Sequence, residues 1–133
     1  MQGEPLRKPV FVKVETLRPG TFGHNLVVKV LSSKVVVNRA RPDGSGVRIA
    51  ECQVADDTGT VTLTARNAQV EVAKVGSTIC VRNAKIDMFK GLMRLAVDKW
   101  GLVEEAEPAT FEPKVDFDLS AVEYELVPAL DDE

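Results

Sequence analysis

The amino-acid sequence predicts an all-β protein, a five-stranded Greek-key barrel with one short helix between the third and fourth strands. Valine-rich or alternating segments recur through residues 10–104, and Gly, Pro and Asp turn signals separate them. One intervening stretch has a helical pattern instead. The 133 residues, 44% hydrophobic and 28% charged, suit a single domain with its own core.

The first part of the chain is predicted to lead into one long strand. Residues 1–9 form a flexible lead-in, and the alternation in Val10–Leu17 predicts a short strand. Arg18–Gly20 is a turn, since proline presets φ and glycine permits a left-handed conformation. His24–Asn38 is too valine-rich for a helix, and its length predicts a coiled or bulged strand that serves more than one sheet edge.

The next segments predict a loop and two strands. Arg39–Gly46 carries loop signals and two arginines, and Val47–Asp56 is the second strand. Asp56–Gly59 is a tight turn, in which aspartate bonds the backbone ahead. In Thr60–Ala65 threonines alternate with apolar residues, so the apolar side chains face inward.

The last elements are a helix and two strands. Asn67 is predicted to cap a short helix that stops at Gly76. Ser77–Ile86 is the fourth strand, Asp87–Gly91 a turn, and Leu92–Glu104 the fifth strand.

This element order is that of an OB-fold, in which the middle strands and the first and fourth loops bind nucleic acid or sugar. An SH3-like barrel gives no reason for the mid-chain helix, and a β-sandwich needs more strands. We therefore assign residues 10–104 to an OB-fold nucleic-acid-binding domain and residues 105–133 to an acidic, proline-containing tail.

Charge is distributed unevenly along the chain. From Glu104 onward there are eleven acids and one base, a net charge of −10, whereas residues 1–103 hold sixteen bases and nine acids, a net charge of +7. A basic body suits a polyanionic partner, and the acidic tail either competes with that partner or simply keeps the protein soluble.

Three segments carry a family resemblance: "VKVETLRPGTFGHNLVVKVLSSK", "CQVADDTGTVTLTA" and "MFKGLMRLAVDKWG". Over residues 10–104 they resemble single-stranded-DNA-binding OB-fold proteins of the sensor-of-single-stranded-DNA type, which are relatives of replication protein A. The chain resembles still more closely a group of small plant and green-algal OB-fold proteins described as DNA-binding-related. The resemblance implies non-catalytic binding of single-stranded DNA, with RNA as the other possible ligand.

The chain departs from that family at its base-stacking positions. Where the family carries four aromatic rings, this sequence has Arg66, Lys85, Phe89 and Ala96. An arginine plane stacks on bases, whereas a lysine supplies only charge. Binding is therefore expected to depend more on charge, and hence on salt, than in the relatives.

The candidate binding residues are basic or hydroxyl side chains in the first loop, the fourth loop and the strands between them, together with one phenylalanine. Basic residues that are distant in sequence but converge on one face indicate a polyanion site. The set comprises Arg39, Arg41, Arg48, Thr62, Thr64, Arg66, Lys85, Phe89, Lys90 and Arg94. Phe89, at an exposed turn, either stacks on a base or folds back against Met88 or Met93.

Catalytic and metal chemistry have little support in the sequence. Asp56 and Asp57 are interpreted as turn formers, and His24, the only histidine, has no partner in register. Cys52 and Cys80 lack Cys-x-x-Cys spacing and are interpreted as buried, reduced thiols. We expect no enzyme activity, no cofactor, no metal and no small-molecule substrate.

The tail and Trp100 leave alternatives open. Trp100 is expected to pack where the tail leaves the barrel, with base stacking as the alternative. The aromatic residues of the tail either pack back on the barrel, dock on a protein partner, or help the tail to occlude the basic groove. No membrane span or targeting signal is evident, so an intracellular location, nuclear or cytoplasmic, is expected.

The sequence is compatible with two functions. The first is binding of single-stranded DNA or RNA in a basic groove, and the second is a protein-interaction module within a larger assembly, through the barrel or the tail. The basic body favours the first, and the missing aromatic residues favour the second.

Overall fold

Six strands and three short helical elements make up the fold in a computed structural model that describes residues 10–125. The strands are β1 (Phe22–Ala40), β2 (Gly46–Ala55), β3 (Thr60–Arg66), β4 (Thr78–Phe89), β5 (Leu92–Ala96) and β6 (Leu102–Glu105). The helix α1 covers Ala68–Val72, and 3₁₀ turns cover Val14–Thr16 and Leu119–Ala121. Among the described residues, no helix is long and apolar enough to cross a membrane.

The sheet closes into a barrel because β1 pairs with two partners. Its first half pairs antiparallel with β4, from Phe22 to Lys29, and its second half pairs with β2, from Lys29 to Ala40. β2 continues to β3, β3 pairs parallel with β5, and β5 returns to β4. The register of β1 shifts at several points along its length. The predicted fold class, and a bulged first strand that serves two edges, are both confirmed.

The predicted strand at Val10–Leu17 is wrong. Only Phe11 forms a bridge there, to Asn25, and a 3₁₀ turn follows. The buried Asp56 carboxylate accepts the backbone N–H of Val14 at 2.9 Å, so the segment is bound to the β2–β3 turn and does not run along a sheet. The same carboxylate accepts the N–H of Thr58 at 2.8 Å, which confirms its role as a turn former.

Three predicted boundaries also change. The helix ends at Val72, well before Gly76, and the Asn67 side chain accepts the N–H of Arg48 at 3.0 Å but does not cap the helix. β4 continues to Phe89, because Lys90 and Gly91 both have positive φ and form a tight two-residue hairpin turn. The predicted fifth strand is divided into β5 and β6, because Asp98 accepts the N–H of Trp100 at 2.9 Å and forms a turn there.

The core lies inside the barrel, where inward-facing side chains of all the long strands meet. Leu26, Val54 and Leu63 are fully buried there. Cys52 and Cys80 are buried free thiols, as predicted, and burial raises the pKa of both.

The segment that follows β6 packs back on the barrel. Leu119 is buried in the core, and the N–H of Thr60 donates to the carbonyl of Phe117 at 2.8 Å. The Ser120 hydroxyl donates to the Met93 carbonyl on β5 at 2.5 Å and accepts the Thr62 N–H on β3 at 2.8 Å. This segment therefore fills the seam where β3 and β5 diverge. Residues 126–133, which complete the predicted acidic tail, lie outside the described residues.

Candidate nucleic-acid interface

The strand registers place most of the candidate residues on one outer face of the barrel. Thr64 lies opposite Glu51 on one side and Ala96 on the other, and Ala96 lies opposite Lys85. In the adjacent row, Thr62 lies opposite Arg94. Because directly paired residues point to the same side of a sheet, these side chains share a face.

A cleft of about 600 Å³ opens on this face, between the long β1–β2 hairpin and the β4–β5 hairpin. Its lining includes four candidate residues, Thr64, Arg66, Phe89 and Arg94. A smaller cleft of about 310 Å³, at the end of the β1–β2 hairpin, is lined in part by Arg39 and Arg48.

The other four candidates lie around these clefts without lining them. Arg41 belongs to the β1–β2 turn, where its N–H donates to the Ser45 carbonyl at 2.7 Å. Lys90 forms the turn of the β4–β5 hairpin. Thr62 and Lys85 lie on the same outer face by register.

Phe89 is half exposed, with 51% of its surface accessible. The Cζ of Arg94 and the Nζ of Lys90 each lie 5.3 Å from the centre of its ring. Met93, one of the two methionines predicted as packing partners, is buried in the core instead. The ring is thus held between cations at the edge of the cleft, and part of it stays accessible to a ligand.

Arg94 spans the floor of the cleft. From β5 its Nη1 reaches across β3 to the Glu51 carboxylate on β2, at 2.6 Å. Its side chain is only 16% exposed, and its buried Nε has no hydrogen-bond partner among residues 10–125. Arg94 is therefore an arginine whose charge is already balanced within the protein.

Two more candidate cations have carboxylate partners. Lys85 lies 3.7 Å from Asp87, and Arg48 is paired with Glu71 on α1. Among residues 10–125, Arg39, Arg41, Arg66 and Lys90 make no ion pair. These four are the cations most available to a phosphate chain.

The cleft also contains residues that the sequence analysis missed. Two are carboxylates and the others are apolar, and both kinds change what the cleft can bind. They are Glu51, Asp87, Val36, Val37, Ile49 and Met88. Alternation within β2 was the available signal, because Ala50 and Cys52 face inward and so direct Ile49 and Glu51 outward.

The expected packing of Trp100 is wrong. Its side chain is 75% exposed, and the Nζ of Lys99 lies 5.1 Å from its ring. The Asp98 turn projects it from the barrel, while its carbonyl accepts a hydrogen bond from the Asn83 side chain at 3.0 Å.

Comparison with known proteins gives the family of this barrel. The sequence profile described as "Single-stranded DNA binding protein Ssb-like, OB fold" matches residues 17–105. The chain belongs to this family. Members of the family are OB-fold binding domains, and the resemblance inferred from the sequence is confirmed.

Two relatives from Arabidopsis thaliana extend the match to almost the whole chain. The protein At4g28440 is 52% identical over 130 residues, which is 91% of this chain and 85% of that protein. The solution structure of a hypothetical protein from the same plant superposes with a TM-score of 0.77 at 48% identity, over 98% of this chain and 97% of that one.

The second OB-fold domain of replication protein A from Methanococcus maripaludis has a TM-score of 0.57 at 19% identity, over 75% of this chain and 98% of that one. This last similarity shows the shared fold.

Proposed function

We propose that this protein binds single-stranded nucleic acid, DNA in preference to RNA, in the 600 Å³ cleft and without catalysis. The observation that carries the proposal is the half-exposed Phe89 ring at the edge of a cleft that has both apolar and charged side chains in its lining. A base stacked on one such ring contributes about 1–3 kcal/mol, and every base has a face that can stack. The family to which the chain belongs supports the same ligand class.

Phosphates and bases are assigned to different parts of the cleft. Arg66 and Lys90 are exposed and unpaired within residues 10–125, so they are proposed to hold the phosphate chain. Glu51 and Asp87 repel phosphates and instead accept hydrogen bonds from base amino groups. The strand therefore lies with its bases toward the cleft floor and its backbone toward the rim.

A second candidate function is a protein-interaction module within a larger assembly. The observation that favours it is the neutralisation of Arg94 and Lys85 by carboxylates, which leaves the face less positive than the sequence indicates. Substituting Arg66→Glu together with Lys85→Glu separates the two functions. The double variant loses nucleic-acid binding under the first and keeps partner capture under the second.

Fluorescence anisotropy tests the first function, with labelled single-stranded DNA, RNA and duplex DNA of about 20 nucleotides. We expect single-strand binding that weakens between about 50 and 200 mM salt. Phe89→Ala should weaken it by about fivefold or more, whereas Phe89→Tyr keeps the ring and the affinity. For the charge reversals Arg66→Glu and Lys85→Glu, the control is Lys74→Glu, on an exposed residue away from the cleft. Absence of binding to all three ligands at low salt would refute the proposal.

A further inference from the structure

A second set of exposed aromatic side chains surrounds one stretch of β4, outside the cleft. Phe22 lies opposite Lys85 in the β1–β4 pairing and is 79% exposed. Trp100 is 75% exposed, and its carbonyl is bonded to the side chain of Asn83, two residues before Lys85. Two residues with large, solvent-exposed rings therefore flank the same short segment of one strand.

Each of these rings has a cation beside it. The Nζ of Lys99 lies 5.1 Å from the centre of the Trp100 ring. Directly paired residues in an antiparallel sheet have Cβ atoms about 4.5–5.5 Å apart, which brings Lys85 next to Phe22. Aromatic rings interleaved with cations are what proteins present to single-stranded nucleic acid, since bases stack and phosphates pair.

The same face of β4 leads from the cleft to Lys85, which lies opposite Phe22. Lys85, Asp87 and Phe89 alternate along the strand, so their side chains lie on one side of it. Four residues at a rise of about 3.3 Å separate Lys85 from Phe89 by about 13 Å. At the stacked spacing of about 3.4 Å per nucleotide, four nucleotides bridge this distance.

We propose that a single strand longer than the cleft continues past Phe89 along β4 and stacks its bases on Phe22 and Trp100. This extension rests on the function proposed above. Lys85 and Lys99 contact the phosphates between the stacked bases. A protein partner fits these rings less well, because the centre of a protein interface is depleted in charge and these rings stand beside cations.

The charges near Phe22 and Trp100 determine how much of the affinity of the extension comes from phosphate contacts and how much from stacking. Arg82 Nε lies 2.8 Å from the Glu104 carboxylate, Lys85 lies near Asp87, and Asp98 precedes Lys99. Cations and acids are therefore nearly balanced here. The extension therefore adds affinity mainly by stacking, and the neighbouring acids partly offset its two lysine–phosphate contacts.

Trp100 gives the experiment a direct signal, because it is the only tryptophan in the chain. The wild type is titrated with DNA strands of about 3 and about 20 nucleotides, of which the first is too short to run from Phe89 to Lys85 and the second is long enough to reach both rings. We expect both strands to bind. Only the longer strand should quench the tryptophan fluorescence, since only it reaches Trp100.

Two ring substitutions distinguish stacking from simple apolar contact. Trp100→Leu and Phe22→Leu should each weaken binding of the longer strand by about fivefold or more and leave the shorter strand unaffected. Trp100→Phe keeps a flat ring and should keep most of the affinity. Both residues are largely exposed, so the thermal unfolding midpoint should not change and serves as the folding control.

The possible results separate the two proposals. If the longer strand binds without quenching and both leucine variants bind it like the wild type, the extension is wrong, the cleft stands, and the two rings are left for a protein partner. If the wild type binds neither strand, the function proposed for the cleft is itself wrong, and the extension fails with it.

Discussion

The Arg94 guanidinium donates to the Glu51 carboxylate at 2.6 Å across the floor of the cleft. Arg94 is 16% exposed and Glu51 38% exposed, so this ion pair is partly shielded from water. An arginine that the sequence assigns to phosphate binding is thus already neutralised by a carboxylate of the same protein. The affinity of the cleft for a polyanion therefore depends on Glu51 as well as on the cations.

Glu51→Gln is expected to tighten binding of single-stranded nucleic acid and to make it more salt-dependent. Removing the carboxylate leaves the Arg94 charge uncompensated and makes the cleft more positive toward the phosphate chain. Each additional phosphate charge that the protein neutralises steepens the dependence of log affinity on log salt by about 0.7. Anisotropy titrations at several salt concentrations measure both quantities.

The control for Glu51→Gln is Glu15→Gln, which removes an exposed acid on the Val14–Thr16 turn, outside the cleft lining. An equal gain in affinity in both variants would indicate a general charge effect. Unchanged affinity and slope in Glu51→Gln would show that the charge of Arg94 does not act on the ligand.

The ion pair between Arg94 and Glu51 also shows why the sequence alone does not predict the charge of the cleft. Alternation within Thr60–Ala65 correctly placed Thr62 and Thr64 on the outer face and the apolar residues in the core, whereas Thr60 is buried. Which residue of β2 lies beside Arg94, however, depends on two pairing registers, β2 with β3 and β3 with β5. The register between β3 and β5, which no short turn connects, cannot be read from the alternation within either strand.

The predictions about Val10–Leu17 and Trp100 were wrong for a related reason. The fold class followed from the order of the elements, which is a local property of the chain. The status of Val10–Leu17 depended on the Asp56 carboxylate, 42 positions away from Val14. Similarly, no local pattern marks Trp100 as exposed, because the Asp98 turn divides an otherwise continuous apolar stretch. Long-range hydrogen bonds and single capping side chains decided these positions.

Ser120→Ala is expected to destabilise the barrel by about 2 kcal/mol or more. The substitution leaves the Thr62 N–H and the Met93 carbonyl without their hydrogen-bond partner, and each buried unsatisfied group costs about 1–3 kcal/mol. Urea unfolding measures the change. Ser32→Ala, on an exposed position of β1, should change the free energy of unfolding by less than about 0.5 kcal/mol. A similar result for both variants would mean that water replaces the Ser120 hydroxyl.

Gly91→Ala is expected to destabilise the protein more than Gly44→Ala. Both glycines have positive φ, +82° and +88°, so each alanine costs about 1–2 kcal/mol in backbone strain. At Gly91 the added Cβ would also lie 2.6 Å from the Tyr124 carbonyl oxygen, whereas at Gly44 it meets nothing within 4 Å in the part of the chain that the structure describes. Thermal unfolding of the two variants gives the difference, and equal unfolding midpoints would contradict the contact with Tyr124.

Stability is expected to decrease as the pH falls below 6.5. Burial lowers the pKa of His24 from its ordinary value of 6.5, so the unfolded chain takes up a proton that the folded protein resists. The contribution of neutral His24 to the free energy of unfolding is fully present above pH 6.5 and is lost as the pH falls through the lowered pKa. Urea unfolding between about pH 7.5 and 5.5 measures it, because His24 is the only histidine. His24→Gln should flatten this dependence, and an unchanged slope would contradict the assignment to His24.

The bonds that Ser120 makes between β3 and β5 imply an order of events when the chain folds. Thr62 and Ser120 are separated by 58 positions, so their contact closes a large loop and carries a high entropic cost. The β1–β2 and β2–β3 hairpins pair through short turns and can form first. We therefore expect the contacts of Ser120 with β3 and β5 to form after the rate-limiting step of folding. A substitution that weakens them, such as Ser120→Ala, should then speed unfolding and leave the folding rate nearly unchanged.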